Sequence, residues 1–249
     1  MSLNTHRKQG LKDAGVFSTG GIDIMFNDII KAIGIEPYYR DNQKDIVIYN
    51  ADCRDILPLI PDKSIDLVLT DPPYGDSCDL DNKSDTRWSK KNGFSDLWIE
   101  NQHGKWNIKP DANVFEELNR VGIEIIIWGG NYFNLGATPC FLIWDKGQRD
   151  FSFADAEIAW TSLKQSIRIF DYARSKLNTE REHPTQKPTP LIEWCILQVN
   201  NAQFILVPFL GSGTTLVAAK ILGRKCIGIE IEEKYCSIAK KRLAQGVLW

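Results

Sequence analysis

The sequence of 249 residues lacks the spacings that mark metal sites and disulfide frameworks. Its six cysteines form no Cys-x-x-Cys pair, and only three histidines are present. Several of the cysteines lie in apolar runs, which is typical of buried, reduced thiols in a cytoplasmic protein. The sequence therefore predicts neither a metal site nor a fold held by disulfides.

Long hydrophobic runs are also missing. No apolar stretch approaches the ~20 residues that span a bilayer, and the N-terminus lacks the apolar core of a secretory signal. Hydrophobic residues make up 43% of the chain and charged residues 25%, as in an ordinary globular domain. We therefore expect a cytoplasmic protein without a membrane partner, long enough for one domain with a substantial core.

An excess of basic residues is likewise absent. The chain has 30 Lys and Arg against 32 Asp and Glu, a formal net charge of -2, which counts against a polynucleotide partner. Local clusters can still supply phosphate contacts, although a solvated loop is the alternative for each. Two stretches, residues 83–109 and 164–181, are rich in Lys and Arg. The candidate contacts to a polynucleotide are Arg87, Lys90, Lys91, Lys164, Arg168 and Arg174.

The most informative motif that is present is Asp71-Pro72-Pro73-Tyr74, which follows the apolar run at residues 65–69. The two prolines fix the backbone just beyond a predicted strand and remove two amide donors. Acceptor oxygens can then face outward beside an aromatic ring, an arrangement that suits a flat amine. A simple proline turn after a strand is the alternative interpretation.

A second motif lies far downstream, where residues 203–215 predict a strand, a glycine-rich turn and the start of a helix. A further buried strand then ends at Glu230, and an acid there can accept hydrogen bonds from ribose hydroxyls. No lysine follows Gly213, which excludes a P-loop. Leu216 stands where a dinucleotide motif has its last glycine. The pattern favours a Rossmann-like nucleotide site of another kind.

Together the two motifs resemble those of the permuted, beta-type DNA amino-methyltransferases, which use S-adenosylmethionine. In that group Asp-Pro-Pro-Tyr is the catalytic motif, and it precedes the cofactor motif Phe-x-Gly-x-Gly-Thr-Thr, as Asp71 precedes Gly211 here. The run at residues 183–188 also looks like the lead-in to the cofactor strand in that group. The resemblance implies catalytic roles for Asp71, Pro72, Pro73 and Tyr74. It implies cofactor contacts for Asp52, Thr185, Lys187, Phe209, Gly211, Ser212, Gly213, Thr214, Thr215 and Glu230.

The implied reaction is methyl transfer from S-adenosylmethionine to the exocyclic N6 amine of an adenine flipped out of double-stranded DNA. Aspartate at the first motif position resembles adenine enzymes more than N4-cytosine enzymes, which remain the alternative. A degenerate methyltransferase fold that only binds DNA is a third reading. The reaction needs no metal. A homodimer and a restriction endonuclease partner are both compatible with the resemblance. The sequence itself gives no information about either.

Strands that alternate with helices predict an α/β fold of the Rossmann-like, class I methyltransferase type, with a mostly parallel twisted sheet and helices on both faces. If the strands before Asp71 and Gly211 are neighbours at the point where the strand order reverses, both loops face one crevice. Residues 1–44 are expected to form an extension and residues 45–249 the methyltransferase domain. Within that domain, 75–110 is expected to be a flexible, DNA-facing loop and 146–182 the target-recognition segment.

One residue departs from the family pattern. Val207 occupies the place of the aspartate in the Asp-Pro-Phe sequence that usually precedes the glycines. If that carboxylate approaches the ammonium group of the cofactor, its loss weakens cofactor binding. We therefore expect Val207→Asp to tighten it.

Overall fold

The computed structural model describes residues 25–75, 108–149, 154–173 and 186–245. These residues form one nine-stranded sheet with the order β1-β2-β9-β8-β3-β4-β6-β5-β7. The strands are β1 (Tyr39–Asp41), β2 (Ile46–Asn50), β3 (Ile65–Thr70), β4 (Gly122–Trp128), β5 (Phe141–Asp145), β6 (Ala156–Thr161), β7 (Arg168–Asp171), β8 (Phe204–Val207) and β9 (Lys225–Glu230).

Most of the sheet is parallel, as predicted. Strands β2, β9, β8, β3 and β4 pair in parallel, and so do β5 and β7. Strand β6 runs antiparallel to both β4 and β5, and β1 runs antiparallel to β2. Among the strands that the structure describes, only β1 and β6 therefore oppose the common direction.

Helices cover both faces of the sheet. They are α1 (Phe26–Ile33), α2 (Cys53–Ile56), α3 (Ala112–Val121), α4 (Thr189–Leu197), α5 (Thr214–Ile221) and α6 (Glu233–Ala244), with short 3-10 turns at Leu57–Leu59 and Gly130–Tyr132. Alternate residues of β2 point to opposite faces, so that Ile48 packs with α4 to α6 and Val47 with α1 to α3. Two hydrophobic cores, one on each face, result.

The residues between 25 and 44, assigned above to an extension, contribute two elements to this domain. Helix α1 packs Phe26, Ile29 and Ile33 into the core beside α2 and α3. Strand β1 adds an antiparallel edge to β2. The sheet and its core thus begin before residue 45.

The strand order reverses between β3 and β8, which are parallel neighbours with Leu67 opposite Ile205. Strand β8 leads through α5 to β9 on one side, while β4 lies on the other side of β3. The prediction that the strands before Asp71 and Gly211 are adjacent is confirmed. Their carboxyl ends open at one edge of the sheet, where ligands of such folds bind.

Within the described ranges, no helix has the length and apolar character needed to cross a bilayer. The same residues contain no group of three His, Cys, Asp or Glu side chains arranged to hold a metal ion. The five cysteines in these ranges are buried, as predicted, and form no disulfide with one another.

Candidate active site at the carboxyl edge of the sheet

Asp71 is the first residue after β3, and its side chain is half-buried at 28% exposure. Both of its carboxylate oxygens are engaged. The Tyr74 hydroxyl donates to Oδ1, and the Lys187 ammonium donates to Oδ2 at 2.5 Å. Pro72 is buried beside it. The motif therefore presents an oriented carboxylate next to an aromatic ring.

The Tyr74 ring is held by aromatic neighbours from the end of β4. It stacks on Tyr132 with ring centroids 4.7 Å apart, and Phe133 meets its edge at 6.1 Å. Gly129 makes this approach possible, because a Cβ atom there would lie 2.2 Å from Tyr74 Cε1. Gly129 also has φ +65°, a conformation that favours glycine.

The glycine-rich turn joins β8 to α5. Gly211 has φ +55°, and apart from Gly211 and its two chain neighbours no described atom lies within 4 Å of the position its Cβ would take. Gly213 has φ +82°, and a Cβ there would collide with Ala239 Cβ of α6 at 2.6 Å. Gly211 thus leaves open space beside the turn, and Gly213 lets α6 pack closely against it.

Glu230 ends β9 and faces this turn. Its carboxylate accepts hydrogen bonds from the Gly211 amide at 2.7 Å and from the Glu232 amide at 2.9 Å. Burial raises the pKa of Glu230. A carboxylate has about four acceptor positions, so two amides leave capacity for ribose hydroxyls. The open space at Gly211 and the Glu230 carboxylate beside it fit a nucleoside cofactor such as S-adenosylmethionine.

Other described residues that were predicted to contact the cofactor lie around the same edge. Asp52 follows β2, the strand next to β9, where it caps α2 through the Arg54 amide and pairs with the Arg54 guanidinium at 2.5 Å. These hydrogen bonds lower the pKa of Asp52. Ser212 and Thr214 are buried in the turn and contact Arg242, while Phe209 and Thr215 are half-buried.

Two consecutive residues, Gln186 and Lys187, join the catalytic loop to the cofactor turn. The Ser212 hydroxyl donates to Gln186 Oε1 at 3.3 Å, and Lys187 binds Asp71. Thr185, also predicted to contact the cofactor, lies outside the described residues. Two motifs about 140 positions apart in the chain are therefore bridged by adjacent side chains of a third segment.

Sequence reasoning missed Lys146 and Glu157 as members of this site. Lys146 Nζ lies 2.7 Å from Glu157 Oε1, and Lys187 Nζ lies 3.3 Å from Glu157 Oε2. Together with Asp71, these three residues form what we call the charge cluster. The signal that could have found Glu157 is its presence near the start of β6, whose other residues are almost all apolar.

Contacts within the charge cluster shift the pKa values of Glu157 and Lys187. Burial alone would raise the pKa of Glu157, but the ammonium groups of Lys187 and Lys146 outweigh burial and lower it to about 2. Burial opposes the charge on Lys187, yet Asp71 and Glu157 raise its pKa above the ordinary value. Glu157 and Lys187 therefore both remain charged at neutral pH.

Of the predicted polynucleotide contacts, Lys164 and Arg168 lie within the described residues, and neither is at this edge. Arg87, Lys90, Lys91 and Arg174 lie outside the described residues. Lys164 and Arg168 are exposed at the amino end of β7, where Arg168 is opposite Leu142 at the start of β5. Because β7 is parallel to β5, that end lies at the edge of the sheet opposite the site.

Val207 is the last residue of β8 and is 2% exposed in the core that faces α4 to α6. Its neighbours in that core include Leu69 and Leu210. The position expected to hold a carboxylate thus lies in an apolar interior, directly before the cofactor turn.

Comparison with known proteins adds three findings. A family model described as DNA methylase matches residues 81–241. The Type II methyltransferases M2.LlaDCHI of Lactococcus lactis subsp. cremoris and M2.DpnII of Streptococcus pneumoniae are each 29% identical to the chain. The alignments cover 86% and 84% of this chain and 94% and 92% of those proteins. The solved structure of PvuII DNA methyltransferase (cytosine-N4-specific) superposes with a TM-score of 0.56 at 16% identity. It covers 87% of this chain and 92% of that one, a likeness that concerns the fold.

Proposed function

The chain belongs to the DNA methylase family, and we propose that it methylates the exocyclic N6 amine of an adenine flipped out of double-stranded DNA. Its cofactor is S-adenosylmethionine. The observation that supports the proposal is the bridge at Gln186 and Lys187, because it connects the Asp71 loop to the Ser212 turn at one edge of the sheet. Relatives named Type II methyltransferases support a role in restriction–modification.

The cofactor would be held at the edge formed by β2, β9 and β8. Glu230 would accept hydrogen bonds from the ribose, the open turn at Gly211 would admit the ligand close to the backbone, and Asp52 would lie toward the adenine. When bound, S-adenosylmethionine supplies an electrophilic methyl group on its sulfonium.

The target amine would be held by the catalytic loop. An exocyclic base nitrogen is a poor nucleophile because its lone pair is delocalised into the ring. Hydrogen bonds from the amine to the Asp71 carboxylate and the Pro72 carbonyl favour a more tetrahedral nitrogen and free the lone pair. Such stabilisation grows toward the transition state, and fixed orientation can contribute up to ~7–11 kcal/mol in well-aligned cases.

The flipped base would stack on Tyr74. Extrusion from a duplex costs a few kcal/mol, and an aromatic face returns part of that stacking energy. The hydrogen bond from Tyr74 to Asp71 fixes the ring relative to the carboxylate. One loop can thus hold both the face and the amino edge of a base.

The proposal of adenine rests on the aspartate at the first motif position, and N4-cytosine is the alternative. Incubation with labelled cofactor and unmethylated duplex DNA, followed by digestion to nucleosides, separates the two. Label in N6-methyladenine supports the proposal, and label in N4-methylcytosine would show that the target base is cytosine instead. DNA binding without any label would identify an inert module and overturn the proposed activity.

A further inference from the structure

The charge cluster extends from the catalytic loop into the sheet as four alternating charges. From Asp71 the successive nitrogen–oxygen distances are 2.5 Å to Lys187, 3.3 Å from Lys187 to Glu157 and 2.7 Å from Glu157 to Lys146. The side chains of Lys187 and Lys146 are only 7% and 10% exposed. Buried ammonium groups of this kind depend on their carboxylate partners for charge compensation.

The cluster is fixed by strand pairing and by aromatic faces. Glu157 is opposite Trp144 in the β5–β6 register. The Lys146 ammonium lies 5.3 Å from the centroid of the Trp144 ring, and the Lys187 ammonium lies 5.3 Å from that of Trp128. These cation–π contacts confine both ammonium groups. Lys187 is therefore held between its two carboxylates and needs only a small shift to favour either.

Asp71 has no disengaged oxygen in this arrangement. Oδ1 accepts from Tyr74 and Oδ2 accepts from Lys187. A carboxylate has about four acceptor positions, so a target amine can bind beside these donors, but the Lys187 ammonium partly neutralises the carboxylate and makes it a weaker acceptor. Displacing Lys187 alone would leave a buried cation short of a partner, which is strongly unfavourable. Glu157 removes this obstacle because Lys187 already lies within ion-pair distance of it.

We propose that Glu157 is a positioning residue that takes over the Lys187 ammonium when Asp71 accepts the target amine. The exchange breaks the hydrogen bond from Lys187 to Asp71 Oδ2 and strengthens the one from Lys187 to Glu157 Oε2, with no proton transferred. Lys146 holds the other oxygen of Glu157 and keeps that carboxylate aimed at Lys187. The inference rests on the proposed function, because it concerns how Asp71 becomes available to a base amine.

Steady-state methylation of long unmethylated DNA by the Glu157→Gln variant tests the proposal. The amide keeps the side-chain shape but cannot compensate the Lys187 charge, so Lys187 stays on Asp71. We expect kcat to fall by about 10- to 100-fold. The KM for DNA and the calorimetric Kd for cofactor should stay near wild type, while the thermal midpoint should fall because two buried ammonium groups lose a carboxylate partner. Glu157→Asp keeps the charge and should recover part of kcat.

Two further variants separate this role from a structural one. Glu36→Gln neutralises an exposed carboxylate outside the site and should leave kcat unchanged. Lys187→Met has no cation to release, so it should retain measurable transfer, and adding Glu157→Gln to it should cost less than about twofold. If Glu157→Gln fails to fold, Glu157→Asp gives the same test. Its smaller loss of kcat must also disappear when it is combined with Lys187→Met.

The outcomes are distinguishable from failure of the proposed function. If the wild-type protein transfers no methyl group to DNA, the proposed function fails. If wild type is active, any of three results overturns the role of Glu157 alone. These are a wild-type kcat in Glu157→Gln, an inactive Lys187→Met, and losses that multiply in the double variant.

Discussion

At the scale of single residues, the position of Tyr74 depends on a glycine from another strand. Gly129 has φ +65° and leaves the space that the Tyr74 ring fills. The tetrapeptide at residues 71–74 was evident in the sequence, but the requirement for Gly129 was not. Nothing local to residue 129 shows that a tyrosine 55 positions earlier will lie against it.

Gly129→Ala should therefore impair the site specifically. The new Cβ would lie 2.2 Å from the Tyr74 ring and force the ring away from Asp71, so we expect at least about a tenfold loss of kcat/KM. Gly136→Ala is the matched control, because Gly136 has φ +78° and no described atom within 4 Å of its Cβ position. Both variants carry a similar backbone strain of about 1–2 kcal/mol. Equal activity in the two would contradict the role given to Gly129.

Val207 offers a second prediction at this scale. An aspartate there would be buried among apolar side chains, so Val207→Asp should lower the free energy of unfolding by about 1–3 kcal/mol or more without cofactor. If the carboxylate also meets the cofactor's ammonium group, cofactor binding tightens and saturating cofactor recovers part of that loss. Calorimetry and thermal unfolding with and without S-adenosylmethionine measure both effects. Unchanged or weaker affinity would show that position 207 does not contact the cofactor.

At the scale of secondary-structure elements, the junction of β3 and β8 is secured by one side chain. Asp66 Oδ2 accepts hydrogen bonds at 2.8 Å from the backbone amides of Gln203 and Phe204, where β8 begins. This carboxylate fixes the two strands at the point where the strand order reverses.

Removal of the Asp66 carboxylate should lower the free energy of unfolding. Asp66→Ala leaves two amide donors without a protein partner, and we expect the free energy of unfolding in urea to fall by about 1–3 kcal/mol. Asp66→Asn retains a carbonyl oxygen and should lose less. If the two variants unfold at the same urea concentration as wild type, the hydrogen bonds contribute nothing to the junction.

The charge cluster predicts a pH dependence of stability. The pKa of Glu157 in the folded protein, about 2, lies below its ordinary value of 4.5. Its contribution is therefore fully present above about pH 5 and is lost as the pH falls from there toward 2. Urea unfolding at pH 6 and pH 3.5 should show a smaller acid-induced loss for Glu157→Gln than for wild type. An identical loss in both proteins would contradict the lowered pKa.

Strand positions followed closely from apolar runs, but the direction of one strand did not. The sequence predicts a mostly parallel sheet, yet β6 inserts antiparallel between β4 and β5. The contact between Lys146 and Glu157 depends on that register and was therefore missed. Helix α1 was also missed, because an eight-residue helix is marginal by itself and is stabilised by packing onto the sheet.

At the scale of the whole molecule, the fold turns distant sequence motifs into one site. Parallel neighbours β3 and β8 end at the same edge, and the segment at 186–187 crosses between their loops. This convergence could be predicted on the condition that the two strands are neighbours, because ligands of open parallel sheets bind beyond the carboxyl ends of the strands where their order reverses. Contacts with DNA could not be inferred in the same way, since a net charge of -2 gives no overall basic surface.

The most direct test of methyl transfer at this edge compares wild type with Asp71→Ala in one assay. Both proteins are incubated with labelled S-adenosylmethionine and unmethylated DNA, nucleosides are identified by mass spectrometry, and cofactor Kd is measured by calorimetry. We predict N6-methyladenine from wild type and none from Asp71→Ala, with cofactor Kd unchanged within about twofold. Robust formation of N6-methyladenine by Asp71→Ala would contradict the account.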